Sequence, residues 1–117
     1  MRVHVISDME GVAGIVRPEQ VTGGDPMYEE ARRLYTEEIN AAVRGAGAAG
    51  ATEIVVMDCH GAGNGWDFNS LVPDLLDPAC EYVVQERWTE YTASSRTAAT
   101  PRSSSGCTRA RERPTAS

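Results

Sequence analysis

The sequence predicts an α/β domain built on a mainly parallel β-sheet with flanking helices, followed by a disordered C-terminal tail, and three observations carry that expectation. Two short apolar runs, Val3 to Ser7 and Thr52 to Asp58, each end in a polar turn, as strands covered on both faces of a parallel sheet do. Between them lies a stretch whose apolar residues recur at helical spacing, so the three pieces form a βαβ unit. After Tyr91 the composition changes: from Thr92 to Ser117 there is no Leu, Ile, Val, Met, Phe, Tyr or Trp. Such a segment buries too little apolar area to offset its chain entropy. The expected organisation is a truncated α/β unit over residues 1–91 and a low-complexity tail over 92–117.

Each element has a local reason. Gly11 to Gly24 reads as a loop. Asp25 is suited to cap a helix and Pro26 to open it, while Glu29 and Glu30 sit where the helix dipole favours acids. Met27, Ala31, Leu34, Tyr35, Ala42, Val43 and Ala46 form the expected apolar face of a helix from Pro26 to about Ala46. Gly45-Ala46-Gly47-Ala48-Ala49-Gly50 matches the GxGxxG string of dinucleotide loops. That loop follows a strand and opens a helix, whereas this segment closes a helix and precedes a strand, so it reads as a helix C-terminus. A third strand is expected at Glu81 to Glu86, after a Pro73 to Pro78 segment with room for one helical turn.

Composition narrows the partners. Of 11 basic and 17 acidic residues, five Arg and one acid lie in the tail, which leaves a net charge of −10 over residues 1–91. An acidic body argues against a nucleic-acid surface, and the basic tail lacks the aromatic residues that single strands stack on. Cys59, Cys80 and Cys107 form no CxxC and no paired framework, which suits a reducing compartment, so the expected location is cytoplasmic. Met1 leads into a strand rather than a signal segment, and no run reaches membrane-spanning length, so no membrane partner is expected.

The chemistry concentrates at the ends of the first two strands. Ligands of open α/β sheets gather beyond the carboxyl ends of the strands, where Asp8, Glu10, Asp58 and His60 fall. In extended backbone, residues two apart project to one side, so Asp8 and Glu10 share a side, and Asp58 and His60 do so while Cys59 points away. Asp8, Glu10 and His60 are candidate metal ligands: two carboxylates and an imidazole make a first shell for zinc. Taken singly, each has a duller explanation, the acids capping loop N–H groups and His60 bonding a carbonyl. His4, in mid-strand, reads as a core residue. Gly61-Ala62-Gly63-Asn64-Gly65 after His60 is similar to an esterase oxyanion loop, but the chain has no GxSxG elbow, which excludes serine hydrolysis. These glycines are suited to letting backbone approach a bound group closely. Trp66, Phe68 and Leu71 are candidates for pocket lining, core packing or an oligomer contact.

Ser7-Asp8-Met9-Glu10-Gly11, the Thr22 to Pro26 lead into a long helix, and Asp58-Cys59-His60-Gly61 together resemble the zinc D-aminopeptidases of the DppA type over residues 1 to about 91. The resemblance implies that Asp8, Glu10 and His60 bind metal, with Asp8 bridging two zinc ions. It also implies an aminopeptidase that hydrolyses N-terminal residues of short peptides through zinc-activated water and assembles as a homo-oligomer. That family uses a further His and Glu as ligands and another His in catalysis, yet no histidine follows His60 here, so the catalytic residue is unknown.

The genetic code offers an origin for the tail. The chain has 11 Arg and no Lys, as GC-rich coding produces. Read one frame over, serines written TCN at Ser103, Ser104 and Ser105 become apolar residues, and Cys107 followed by Thr108 becomes His or Tyr. With GC-ending codons the shifted frame yields a strand and a Gly-Met-His turn, so the tail is expected to be an out-of-frame product, from a sequencing error or a genuine frameshift. The alternatives are a non-catalytic truncated fragment, or a metal-dependent amidase or phosphoesterase of other specificity.

Overall fold

The computed structural model describes residues 1–85 and 107–109. Strands β1 (Arg2–Ser7), β2 (Glu53–Asp58) and β3 (Glu81–Gln85) lie side by side in that order, all parallel. A short β4 (Cys107–Arg109) pairs antiparallel with the far edge of β3. The expected boundary near Tyr91 lies outside the described residues, as does the tail apart from Cys107–Arg109. Those three residues are a strand rather than coil, because an open sheet edge offers a row of backbone partners to any extended segment.

Helix α1 (Pro26–Ala48) makes the crossover between β1 and β2. It opens as the sequence indicates: the Asp25 side chain accepts the Met27 N–H at 2.9 Å, and Pro26 takes the first turn. It closes on the glycine string that mimics a dinucleotide loop. Gly50 adopts φ 101°, its N–H bonds the Gly47 carbonyl, and the Ala51 N–H bonds the Ala46 carbonyl, the paired bonds of a Schellman ending.

The buried face of α1 differs from the expected one. Tyr28, Ala31, Tyr35, Thr36, Ile39, Asn40 and Val43 are buried, whereas Met27, Leu34 and Ala42 are exposed. The stripe is rotated toward the chain that follows β2, and its two polar members serve that chain. The Thr36 hydroxyl oxygen accepts the Val72 N–H at 3.0 Å, while Asn40 donates to the Leu75 carbonyl and accepts the Asp77 N–H, both at 2.7 Å. Backbone groups of an irregular segment need such partners once buried. The Pro73–Pro78 segment forms turns instead of a helix, its Leu76 N–H shared between the carbonyls of Val72 and Pro73.

The alternation along β2 divides the core. Ile54 and Val56 pack with Tyr28, Ala31, Tyr35, Ile39 and Val43 of α1, and with Met9, Val12, Ile15, Leu71 and Leu76. Val55 and Met57 face the other way, with Cys59 and Val83. Both faces of β2 are therefore buried, as its unbroken apolar run requires. Among the described residues α1 is the single α-helix, and it covers one of those faces. His4 on β1 is half-buried rather than a core residue. No helix among the described residues is long and apolar enough to cross a membrane.

Candidate metal centre

The register of β1 and β2 sets the site. Ser7 pairs with Asp58, so the two strands end level, and the Cys59 N–H extends the ladder to the Ser7 carbonyl at 2.8 Å. Beyond β1 the chain runs Asp8-Met9-Glu10. Met9 is buried in the core, which leaves the two acids on the opposite, open side. Beyond β2, Cys59 turns to the second core cluster and His60 turns back toward the acids.

The three predicted ligand residues converge. His60 Nδ1 lies 2.9 Å from Asp8 Oδ1 and 3.2 Å from Glu10 Oε1. One donor atom from each residue lies within 4.8 Å of the other two. The imidazole is 4 % exposed, whereas the Asp8 and Glu10 side chains are 58 % and 62 % exposed, so an ion arriving from water meets the carboxylates first.

The other ring nitrogen decides what Nδ1 can do. His60 Nε2 lies 2.8 Å from the Val21 carbonyl oxygen, and a carbonyl accepts only, so Nε2 carries a proton and donates it. In the neutral ring Nδ1 then presents a lone pair to two carboxylates. That is three electron-rich atoms with no hydrogen between them, an arrangement that calls for a cation or a second proton. Burial alone would lower the pKa of His60; the Val21 carbonyl, Asp8 and Glu10 outweigh it, and the net shift is upward. Imidazole nitrogen with two carboxylate oxygens is a donor set that fits zinc. The bond from the far nitrogen to a backbone carbonyl is the outer-shell partner that metal-ligating histidines ordinarily carry.

Asp58 shares the sheet edge but is not in the cluster. It is buried, and its Oδ1 accepts the Tyr35 hydroxyl and the His60 backbone N–H, both at 2.9 Å, while Oδ2 accepts the Ser70 N–H at 2.6 Å. Burial raises its pKa, although these three hydrogen bonds oppose the rise by favouring the charged form. The Tyr35 hydroxyl also lies 2.7 Å from that of Ser7, which donates to the Met57 carbonyl at 2.8 Å. Burial, then the neighbouring Asp58, pushes the Tyr35 phenol far above its ordinary range.

The glycine-rich segment after His60 packs against protein. The Gly23 N–H bonds the Ala62 carbonyl at 2.8 Å, and Asn64 Nδ2 donates to the Gly23 carbonyl at 2.7 Å. Phe68 and Leu71 are buried, and half-buried Trp66 packs against the main core. Trp66 meets Tyr28 edge-on at 5.7 Å between ring centroids, with the Arg32 guanidinium 5.0 Å from the indole centroid. Leu71 and Trp66 thus take part in the main core, and Phe68 is buried. The sequence reading did not single out Val21, Ser70 or Asn64. A backbone carbonyl carries no sequence signal, and the value of the other two depends on loops whose course the chain does not spell out.

Comparisons with known proteins give the chain its relatives. A D-aminopeptidase of Bacillus subtilis (strain 168) is 34% identical over 83 residues, an alignment that covers 71% of this chain and 28% of that relative. A solved structure, described as the Zn-dependent D-aminopeptidase DppA from Bacillus subtilis, a self-compartmentalizing protease, superposes with a TM-score of 0.61 at 31% identity. It covers 70% of this chain and 28% of that one. The chain therefore spans less than a third of the length of the relatives it matches. A profile of the D-aminopeptidase family, the M55 peptidases, matches residues 1–96, and the chain belongs to that family.

Proposed function

We propose that Asp8, Glu10 and His60 hold zinc, and that the site serves an aminopeptidase acting on the N-terminal residue of short peptides. The observation that carries this reading is the His60 Nδ1 lone pair set between two carboxylates at 2.9 and 3.2 Å. Zinc at such a site supplies Lewis acidity at a scissile carbonyl and brings the pKa of water toward about 7. The protein's part is to aim three donors at one point and to keep the carboxylates open to solvent. Carboxylate oxygens not engaged by the ion can attract the free α-amino group of a peptide, which favours cleavage at the N-terminus.

Selectivity for D-residues, a second zinc ion, assembly of copies of the chain and a cytoplasmic location belong to the same proposal. The name and description of the Bacillus subtilis relative support the first and third. We also propose that residues 92–117 are read out of frame. In support, the family match ends at residue 96, close to Tyr91, the last large apolar residue of the chain.

Calorimetry tests the metal reading directly. The 117-residue chain is expected to bind zinc, and His60→Ala to lose that binding; equal titrations would remove the proposal. Resequencing across the Tyr91 codon tests the frame. Hydrolysis of a D-alanyl peptide is expected once the frame is restored, to disappear again with His60→Ala, and to exceed hydrolysis of the L-alanyl isomer.

A further inference from the structure

We infer that the interlock between residues 18–24 and residues 61–66 selects Nδ1 of His60 as the nitrogen offered to the cation, with Asn64 as its positioning residue. The inference rests on the metal reading above, since a nitrogen is selected only if something binds it.

The argument begins with the two neutral forms of imidazole. If the proton sits on Nε2, Nδ1 is free to bind a cation. If it sits on Nδ1, that nitrogen donates to Asp8, 2.9 Å away, and both ligands are consumed by one hydrogen bond. Asp8 favours the second form, and the Val21 carbonyl, 2.8 Å from Nε2, favours the first. The placement of that carbonyl therefore decides whether the site is ready for metal.

Val21 ends a single 3-10 turn, Pro18–Val21, in a segment of little regular structure. The turn is braced from within: the Gln20 side chain accepts the N–H groups of Val16 and Arg17 and donates to the Gly14 carbonyl, and Thr22 Oγ1 donates to the Pro18 carbonyl. None of these contacts reaches His60. The contacts that do tie the turn to the histidine segment run through Gly23, which bonds Ala62 through its N–H and Asn64 through its carbonyl. A Cβ at Gly23 would lie 2.4 Å from the Gly63 carbonyl oxygen and 2.7 Å from Trp66 Cδ1, so the two segments touch as closely as backbone allows. Asn64 sits at φ 55°, a left-handed conformation that Asn tolerates well, and its amide is the side-chain link across the gap. On its other side His60 is fixed by Asp58 at its N–H and by the Phe68 N–H at its carbonyl. The imidazole is thus held at its backbone by β2 and at its far nitrogen by the loop before α1.

The test uses the 117-residue chain labelled with ¹⁵N-histidine. In zinc-free protein, at a pH where the ring is neutral, the His60 nitrogen shifts are expected to show the Nε2–H form, and on adding zinc the Nδ1 resonance is expected to move. Asn64→Gly keeps the left-handed backbone accessible and removes the amide link. It is expected to mix the two forms and to weaken zinc binding about tenfold, the lower end of what outer-shell changes cost. Asn64→Ala serves as the second variant. Wild-type protein in the Nδ1–H form, zinc carried on Nε2, or an Asn64→Gly variant with unchanged tautomer and affinity would each overturn the inference. Should wild-type protein show the Nε2–H form yet bind no zinc, the metal reading fails and takes the inference with it, whereas zinc binding left unchanged by Asn64→Gly overturns the inference alone.

Discussion

Asp58 accepts the Tyr35 hydroxyl at 2.9 Å, and this contact joins the middle of α1 to the tip of β2. It matters because the same carboxylate oxygen accepts the His60 backbone N–H, while its partner oxygen accepts the Ser70 N–H. One buried side chain thereby ties the crossover helix, the strand end and the returning loop to the residue that faces the acids.

Asp58→Asn is expected to destabilise the chain more than Tyr35→Phe. Asparagine has a single acceptor oxygen, so its amide must face either the His60 or the Ser70 N–H, and two donors then oppose each other in a buried place. Stranding buried polar groups costs about 1–3 kcal/mol each. Tyr35→Phe removes the hydroxyl's contacts with Asp58 and Ser7 but leaves both N–H groups satisfied, a loss of about 1 kcal/mol. Urea unfolding of the two variants gives the order, and an equal or reversed order would contradict the hub role.

Zinc is expected to stabilise the folded chain through the same three residues. A ligand that binds only the folded state adds about 2.7 kcal/mol at a hundredfold excess over its Kd. The midpoint of thermal unfolding should rise with zinc in the wild type and stay level in an Asp8→Asn, Glu10→Gln double variant, which retains His60 but removes both charges. Magnesium at the same concentration should raise it less, because imidazole favours zinc.

Much of this was legible in the sequence, and the parts that were not share a cause. Asp25-Pro26 and Gly50 mark the ends of α1 because caps depend on residues adjacent in the chain. Asp8, Glu10 and His60 could be grouped because the apolar runs before them have nearly the same length and a parallel pair aligns their ends. The phase of α1 was not legible: Thr36 and Asn40 are buried to satisfy backbone of the 72–77 segment, and that need exists only after the chain has returned. The roles of Val21 and Asn64 are not legible for the same reason, since their partners lie 39 and 41 residues away in the chain.

His4 gives the fold a pH dependence with a definite sign. Burial, then the nearby Arg2 charge, lowers its pKa below 6.5. Between the folded value and 6.5 the unfolded chain binds a proton that the folded chain does not, so stability is full above 6.5 and is lost as pH falls through that window. His60 works in the opposite sense: its pKa is raised, so its contribution is present below 6.5 and is lost as pH rises through its folded value. Denaturant unfolding at pH 5 and pH 7.5 is expected to show a smaller loss on acidification for His4→Gln than for the wild type. A larger loss in the variant would contradict the assigned sign.

Two glycines near the end of α1 test the conformational argument without any contact to confuse it. A Cβ at Gly45 or at Gly50 would meet nothing within 4 Å, so neither position is reserved for glycine by crowding. They differ in backbone alone. Gly45 lies within α1, where alanine removes the entropy that glycine loses on folding, and Gly45→Ala is expected to stabilise the chain by about 0.5–1 kcal/mol. Gly50 sits at φ 101°, where a Cβ crowds its own carbonyl, and Gly50→Ala is expected to cost about 1–2 kcal/mol. The same chemical change five residues apart should therefore move the unfolding midpoint in opposite directions. Should both variants be stabilised, the left-handed ending of α1 would be wrong, and with it the angle at which the chain enters β2.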